Sequence, residues 1–256
     1  MKNLSVSLIQ CALVWEDAEA NRLQLELRLA KLEKTDVVLL PEMFNSGFSM
    51  NSEKIAEPVG GPTETWMQTM ASQHDCAIVG SIAVRDGNGI RNRMLFVTPQ
   101  GTHYYDKRHL FRMSGENKHY VAGAQRSIVY WRGWRLCLQV CYDLRYPVWS
   151  RNSGDFDALI YVANWPAKRS YHWRQLLIAR AIENQVCVLG LNRIGDDDNG
   201  IHYSGDSLAI VADGEVLLDA QDGDGIFTAE LNAERQVSYR EKFPSHLDGD
   251  DFTLNI

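Results

Sequence analysis

A cysteine, a glutamate and a lysine stand at three comparable positions in this chain, and each is a residue type able to do chemistry. Cys141 ends the apolar run Leu136 Cys137 Leu138 Gln139 Val140, and a polar turn closed by Pro147 follows it. A thiol there lies at the rim of a sheet, where ligands and catalytic groups collect. The competing reading is a core cysteine, because free Cys packs as a small hydrophobe and is among the most buried residue types. Glu42 follows Leu39 Leu40 Pro41, and Lys107 follows Tyr104 Tyr105 Asp106 in a strand-to-loop transition. Each alone has a plain explanation: Pro-Glu is a common strand exit, and a lysine beside Arg108 can be a solvated turn charge.

The elements that must position these residues alternate between strand and helix. Residues 4–13 read as a strand and 17–34 as a helix with Leu25, Leu29 and Leu32 on one face. Residues 37–40 form a short buried strand, and the Gly-, Ser- and Asn-rich stretch 45–61 is expected to be loop. A helix over 63–74, strands over 77–84 and 94–98 joined through Gly87 to Gly89, and a strand over 102–106 lead to Lys107. A hairpin of 127–131 and 134–140 about Arg132 and Gly133 leads to Cys141. Then come a buried strand over 158–163, a helix over 171–185 with Leu176, Leu177, Ala181 and Ile182 inward, and a strand over 186–191. Strands at 207–211, 216–218 and 226–231 and a polar helix at 232–243 complete the pattern.

This order predicts an α/β fold in which two sheets pack together or one large sheet is covered on both faces. No compositional break divides residues 1–256, so the chain reads as a single domain, with a C-terminal helix and tail from about 232. A chain of 256 residues, 45% hydrophobic, can bury a sizeable core. Its net charge of -7, with no run of Lys and Arg, argues against a nucleic-acid partner and leaves a small soluble ligand as the natural one. Five cysteines, mostly inside apolar runs, suit reduced thiols in a cytoplasmic protein. No apolar run is long enough to span a membrane, and the first residues alternate like a strand rather than forming a signal-peptide core. Asp196 Asp197 Asp198 Asn199 Gly200 fits a turn better than a calcium loop, because aligning Gly200 with the invariant glycine puts Gly195 at the first ligand position. No zinc spacing and no phosphate-cradling loop is present, so neither a metal nor a cofactor is expected.

Four stretches in order carry a resemblance over nearly the whole length. They are Leu40 Pro41 Glu42, the run Tyr105 Asp106 Lys107 Arg108 His109 Leu110, the run Cys141 Tyr142 Asp143 Leu144 Arg145 Tyr146 Pro147, and Arg180 Ala181 Ile182 Glu183 Asn184 Gln185. On these the chain resembles the nitrilase, or carbon-nitrogen hydrolase, superfamily. The resemblance implies a four-layer αββα sandwich, which would resolve the choice left open above, and a homodimer with the 171–185 helix and the C-terminal tail at its interface. It implies that Cys141 is the nucleophile of amide hydrolysis. An unperturbed thiol, with a pKa of about 8.5, is mostly protonated at neutral pH, so it needs a base beside it. That base, by resemblance, is Glu42, which takes the thiol proton, returns one to departing ammonia and then activates water. Lys107 would stabilise the oxygen that gains charge, with the N–H of Tyr142 as a second donor. Glu116 matches an additional glutamate of the superfamily in a supporting role; an ordinary loop glutamate is the alternative.

Phe44, Trp165 and Tyr142 flank the motif ends and would wall the pocket, unless they serve packing. Arg145 can clamp a substrate carboxylate, or else pair with Asp143 or Glu183. His109, His119 or His172 as the base of a Cys-His pair would leave Glu42 and Lys107 unexplained. Within the superfamily the chain looks most like the omega-amidase branch, whose members remove the terminal amide of 2-oxoglutaramate and 2-oxosuccinamate. Another amidase, a carbamoylase or a nitrilase is the nearest rival, and a noncatalytic binding protein on the same fold is the rival from another class.

Overall fold

Alternation along the strands explains the layers. The computed structural model describes residues 2–250 and 252–254. Its first sheet runs, in hydrogen-bonded order, Gly225–Leu231, Leu4–Gln10, Val37–Leu39, Ala77–Asp86, Gly89–Thr98 and Gly101–Asp106, with Glu57–Pro58 added against Ala77–Asp86. In it, Leu8, Val37, Leu39, Val79, Met94 and Phe96 face the second sheet, whereas Ile9, Val38, Ile78, Leu95 and Val97 face helices. Period-2 patterning thus feeds two cores from one sheet. The second sheet runs Val216–Asp219, Leu208–Ile210, Cys187–Asn192, Ala158–Ala163, Trp134–Val140 and Ile128–Trp131. The result is an αββα sandwich, two sheets back to back with helices outside.

Helices Ala18–Leu29 and Pro62–His74 cover the first sheet through Leu25, Leu29, Met67, Met70 and Ala71. Asp17 starts the former by accepting from Ala20 N–H at 2.9 Å, and Pro62 starts the latter at the position where a missing N–H costs nothing. Full burial of Leu25 and Leu29 stabilises by about 1.5–3 kcal/mol each. Helix Ser170–Asn184 covers the second sheet through Trp173, Leu177 and Ala181. Gly190 lets it approach, because a Cβ there would stand 2.3 Å from Leu177 Cδ1.

Three local expectations change. Residues 45–61 are not loop throughout: Ser52–Ile55 is a helical turn and Glu57–Pro58 an edge strand. Ile182 points outward and is half exposed, because the buried stripe runs through Trp173, Leu177 and Ala181. Leu32 lies beyond the end of its helix, although it still packs against the outer core. The 17–34 pattern overran because the helix closes at Ala30, whose N–H bonds back to Glu26 O.

Candidate active site

Strand ends from both sheets meet at one place. In the first sheet Leu40 N–H still donates to Val79 O at 2.7 Å, and the chain then turns at Met43, whose φ is +46°. Ser81 fixes that turn, its Oγ accepting from Met43 N–H at 2.9 Å. Lys107 carries the ladder one step past Gly101–Asp106, donating its N–H to Asn92 O at 3.0 Å. In the second sheet the parallel strands Trp134–Val140 and Ala158–Ala163 end at Cys141 and Asn164, the side on which α/β sheets build ligand sites.

Cys141 has φ +44°, the left-handed region, which costs a non-glycine residue roughly 1–3 kcal/mol unless the surroundings hold it. Asp143 holds it. This buried carboxylate accepts from Val140 N–H at 2.9 Å and Tyr105 Oη–H at 2.8 Å with one oxygen. With the other it accepts from His109 N–H at 2.9 Å and lies 2.8 Å from His109 Nδ1. One side chain therefore ties the cysteine turn to the segment that follows Lys107.

Behind the thiol sits a charged cluster with no solvent contact. Lys107 Nζ donates to Glu42 Oε1 at 2.9 Å and to both Glu116 oxygens at 3.0 Å, with all three side chains fully buried. Asn92 Nδ2 donates to Glu42 Oε1 at 2.8 Å and to Glu116 Oε1 at 3.3 Å. Asn164 N–H donates to Glu42 Oε2 at 2.8 Å, and Phe111 N–H to Glu116 Oε2 at 2.6 Å. Burying three charges costs several kcal/mol per ion unless the hydrogen bonds are complete, which these partners approach. The Phe48 ring lies 5.0 Å from the ammonium.

Burial alone would depress the Lys107 pKa, but the Glu116 and Glu42 charges outweigh it and hold the ammonium well above its ordinary range. The Cys141 thiol moves up, first through burial and then through the Glu42 charge, while Lys107 pulls the other way. Burial also raises Glu116, against the pull of Lys107. Cys141 therefore rests as a thiol with a carboxylate close by. It retains 9% exposure, whereas Cys11, Cys76, Cys137 and Cys187 have at most 1%, so Cys141 is the cysteine a ligand can reach.

A cavity of about 150 Å³ opens over the cysteine. Cys141, Lys107 and Asn164 form its inner end, and Phe48, Phe111, Tyr142 and Trp165 its aromatic walls. Arg145 lines it too, its guanidinium 4.7 Å above the Trp165 ring and its Nη2 donating to His172 Nδ1 at 3.2 Å. Asp143 and Glu183 do not pair with it, since Asp143 is engaged as above and Glu183 binds Arg180 at 2.9 Å. The stretch from Asp196 to Gly200 is the tip of the hairpin Ile194–Asp196 and His202–Ser204. Asp197 Oδ1 accepts there from Asn199 and Ile201 N–H, and the hairpin brings Ile201 and Tyr203 to the pocket.

Phe44 stands outside this pocket. Its ring is fully buried 6.1 Å from Trp66, over Gly80, where a Cβ would meet it at 2.8 Å. The aromatic that reaches the pocket is Phe48, one turn further on. Asn92, Asn164 and Phe111 escape a reading of sequence alone. The one signal for Asn92 is a polar residue of poor β-propensity inside a strand.

The comparisons with known proteins agree with this geometry. The family model described as Carbon-nitrogen hydrolase matches residues 5–241. The chain is 50% identical over 258 residues to Omega-amidase YafV of Yersinia enterocolitica, covering 99% of this chain and 100% of that protein. It is 32% identical to the 2-oxoglutaramate amidase of Bacillus subtilis, over 94% of this chain and 95% of the other. It superposes with a TM-score of 0.98, at 43% identity and full coverage of both chains, on XC1258 from Xanthomonas campestris, described as a CN-hydrolase superfamily protein with an arsenic adduct in the active site. A thiol, a carboxylate and an ammonium meeting at three strand ends, in a chain with these relatives, have one common explanation: the chain belongs to the carbon-nitrogen hydrolase family.

Proposed function

We propose that this protein is an omega-amidase, hydrolysing the terminal amide of 2-oxoglutaramate or 2-oxosuccinamate to the 2-oxo diacid and ammonia through a thioester on Cys141. The observation that carries the reading is that Cys141 and Lys107 line the inner end of one small cavity while Glu42, buried behind it, is held 2.9 Å from Lys107 Nζ. As Sγ attacks the amide carbon, its proton passes to Glu42, so no standing thiolate is needed. The carbonyl oxygen becomes an oxyanion facing Lys107 and the Tyr142 N–H. When the C–N bond breaks, Glu42 returns the proton to nitrogen and ammonia leaves. Glu42 then takes a proton from water, whose oxygen attacks the thioester, and the departing sulfur is reprotonated. Glu116 positions Lys107 beside Glu42, and Arg145 takes the substrate carboxylate against Trp165.

The names of the relatives support the substrate class, and so does a pocket wall on which Arg145 has no carboxylate partner among the described residues. The reading takes residues 1–256 as one domain of a cytoplasmic homodimer acting on a small amide, without nucleic-acid or membrane partners. Five cysteines that are free of disulfides and buried suit that compartment. Exposed Tyr171, Ile182, Phe243 and Leu247 support a second subunit on that side. No described helix is long and apolar enough to cross a membrane.

The test is ammonia release from 2-oxoglutaramate, glutamine, an N-carbamoyl amino acid and a nitrile, with mass spectrometry of the trapped acyl-enzyme. Turnover of the 2-oxo amide with an adduct on Cys141 alone is expected. Silence on every compound would favour the binding role, and light scattering giving a monomer would remove the dimer.

A further inference from the structure

We infer that the turn Ala167–Arg169 forms a second cationic wall that selects 2-oxo amides against the corresponding α-amino acids. The inference rests on the proposed reaction and extends it to residues with no role in the chemical steps. Lys168 and Arg169 line the cavity over Cys141, and neither has a carboxylate within ion-pair distance among the described residues. Their neighbours differ. Arg174 binds Asp219 at 2.7 Å and Asp206 at 3.2 Å, and Arg180 binds Glu183 at 2.9 Å.

Arg169 is nonetheless held in place. Arg169 N–H donates to Pro166 O at 2.9 Å, and its carbonyl accepts from Trp165 Nε1–H at 2.8 Å. Its guanidinium lies 5.5 Å from the ring of Phe111, a wall of the same pocket. Trp165 also carries Arg145 on its face, so the indole links the two guanidinium-bearing segments.

Among the described residues no Asp or Glu lines this cavity, although the chain carries a net charge of -7. Glutamine and 2-oxoglutaramate share the terminal amide and the carboxylate and differ at the α-carbon, ammonium in one and carbonyl in the other. A wall of Arg145, Lys168 and Arg169 offers the carbonyl oxygen donors, whereas the ammonium finds no acceptor charge and three like charges. Discrimination then arises from repulsion of the wrong ligand as much as from attraction of the right one.

The experiment measures kcat/KM of wild type, Arg169→Gln, Lys168→Gln and the double variant for 2-oxoglutaramate and for glutamine. Folding is checked by thermal melting. The expected result is a ratio between the two substrates that narrows by about tenfold or more in Arg169→Gln, chiefly through KM for the 2-oxo amide, and further in the double variant. Should Arg169→Gln fail to fold, the exposed Lys168→Gln carries the same test with a smaller change. Wild-type turnover of 2-oxoglutaramate with an unchanged ratio in the variants would overturn the wall while leaving the reaction standing. Wild type inert toward 2-oxoglutaramate would remove both.

Discussion

The inner end of the pocket and its mouth treat charge in opposite ways. At the inner end Lys107, Glu42 and Glu116 compensate one another out of water, with Asn92, Asn164 and Phe111 filling the remaining hydrogen bonds. At the mouth Arg145, Lys168 and Arg169 stand on aromatic surface or in solvent with no carboxylate partner among the described residues. A compensated cluster is preorganised: its groups are already aimed where charge will develop, and they need not reorganise during reaction. An uncompensated wall is incomplete until a ligand supplies the anion. On the proposed reading, chemistry is thus built in at one end and recognition is left open at the other.

The largest expected effect falls on Cys141, the proposed nucleophile. Cys141→Ala should abolish turnover and acyl-enzyme formation while the protein stays folded, because the thiol's hydrogen bond to Asn164 O is weak, at 3.9 Å, and alanine keeps the Cβ. Residual turnover near wild type would show that the inner end is not the seat of reaction. Next, Glu42→Gln should lower kcat by about 10²–10⁴, the usual worth of a positioned acid and base. Since burial and the Glu42 charge hold the thiol pKa high, alkylation of Cys141 in the wild-type protein should rise about tenfold per pH unit from pH 7 to 9, as the thiolate fraction grows. A flat profile in iodoacetamide kinetics would contradict the raised pKa.

Lys107→Met should cost kcat about 10²–10³ and, by leaving two buried carboxylates without their cation, about 3–5 kcal/mol of stability. Adding Glu116→Gln to it should recover part of the stability and none of the rate, measured by denaturant melts and ammonia release. That split would distinguish compensation from catalysis. Asp143→Asn should cost about 1–3 kcal/mol by turning an NH2 toward donors, with a rate loss beyond that of the stability change as the Cys141 turn relaxes. The smallest effect belongs to the mouth: Arg145→Met should raise KM for the 2-oxo amide about tenfold to a hundredfold and leave Cys141 alkylation unaltered. An equal fall in kcat would mean that mouth and inner end are not separable.

What could be read without coordinates follows from how local each signal is. Cys141, Glu42 and Lys107 each end a strand visible in a few consecutive residues, so their common placement was legible. Asn92 and Asn164 join Glu42 from 50 and 122 residues away; nothing local marks Asn164, and Asn92 shows only as a polar residue inside a strand. Phe44 and Phe48 are both aromatics after the same strand, and the turn set by positive φ at Met43 and Gly47 decides which enters the core and which the pocket. On helix Ser170–Asn184 the period was plain, but the centre of the buried stripe was not, which is why Ile182 was placed inward.

By itself the sequence determined the order of strands and helices, the residue types at their ends and, through those runs, the reaction class they resemble. Only the tertiary structure decided which charges neutralise one another and which remain free. Pairing of Lys107 with Glu42 and Glu116, and the lack of a carboxylate partner for Arg145 and Arg169 among the described residues, depend on distances between chain segments far apart in sequence. Electrostatic energy depends on separation in space and on burial, and neither is written in a local run of residues.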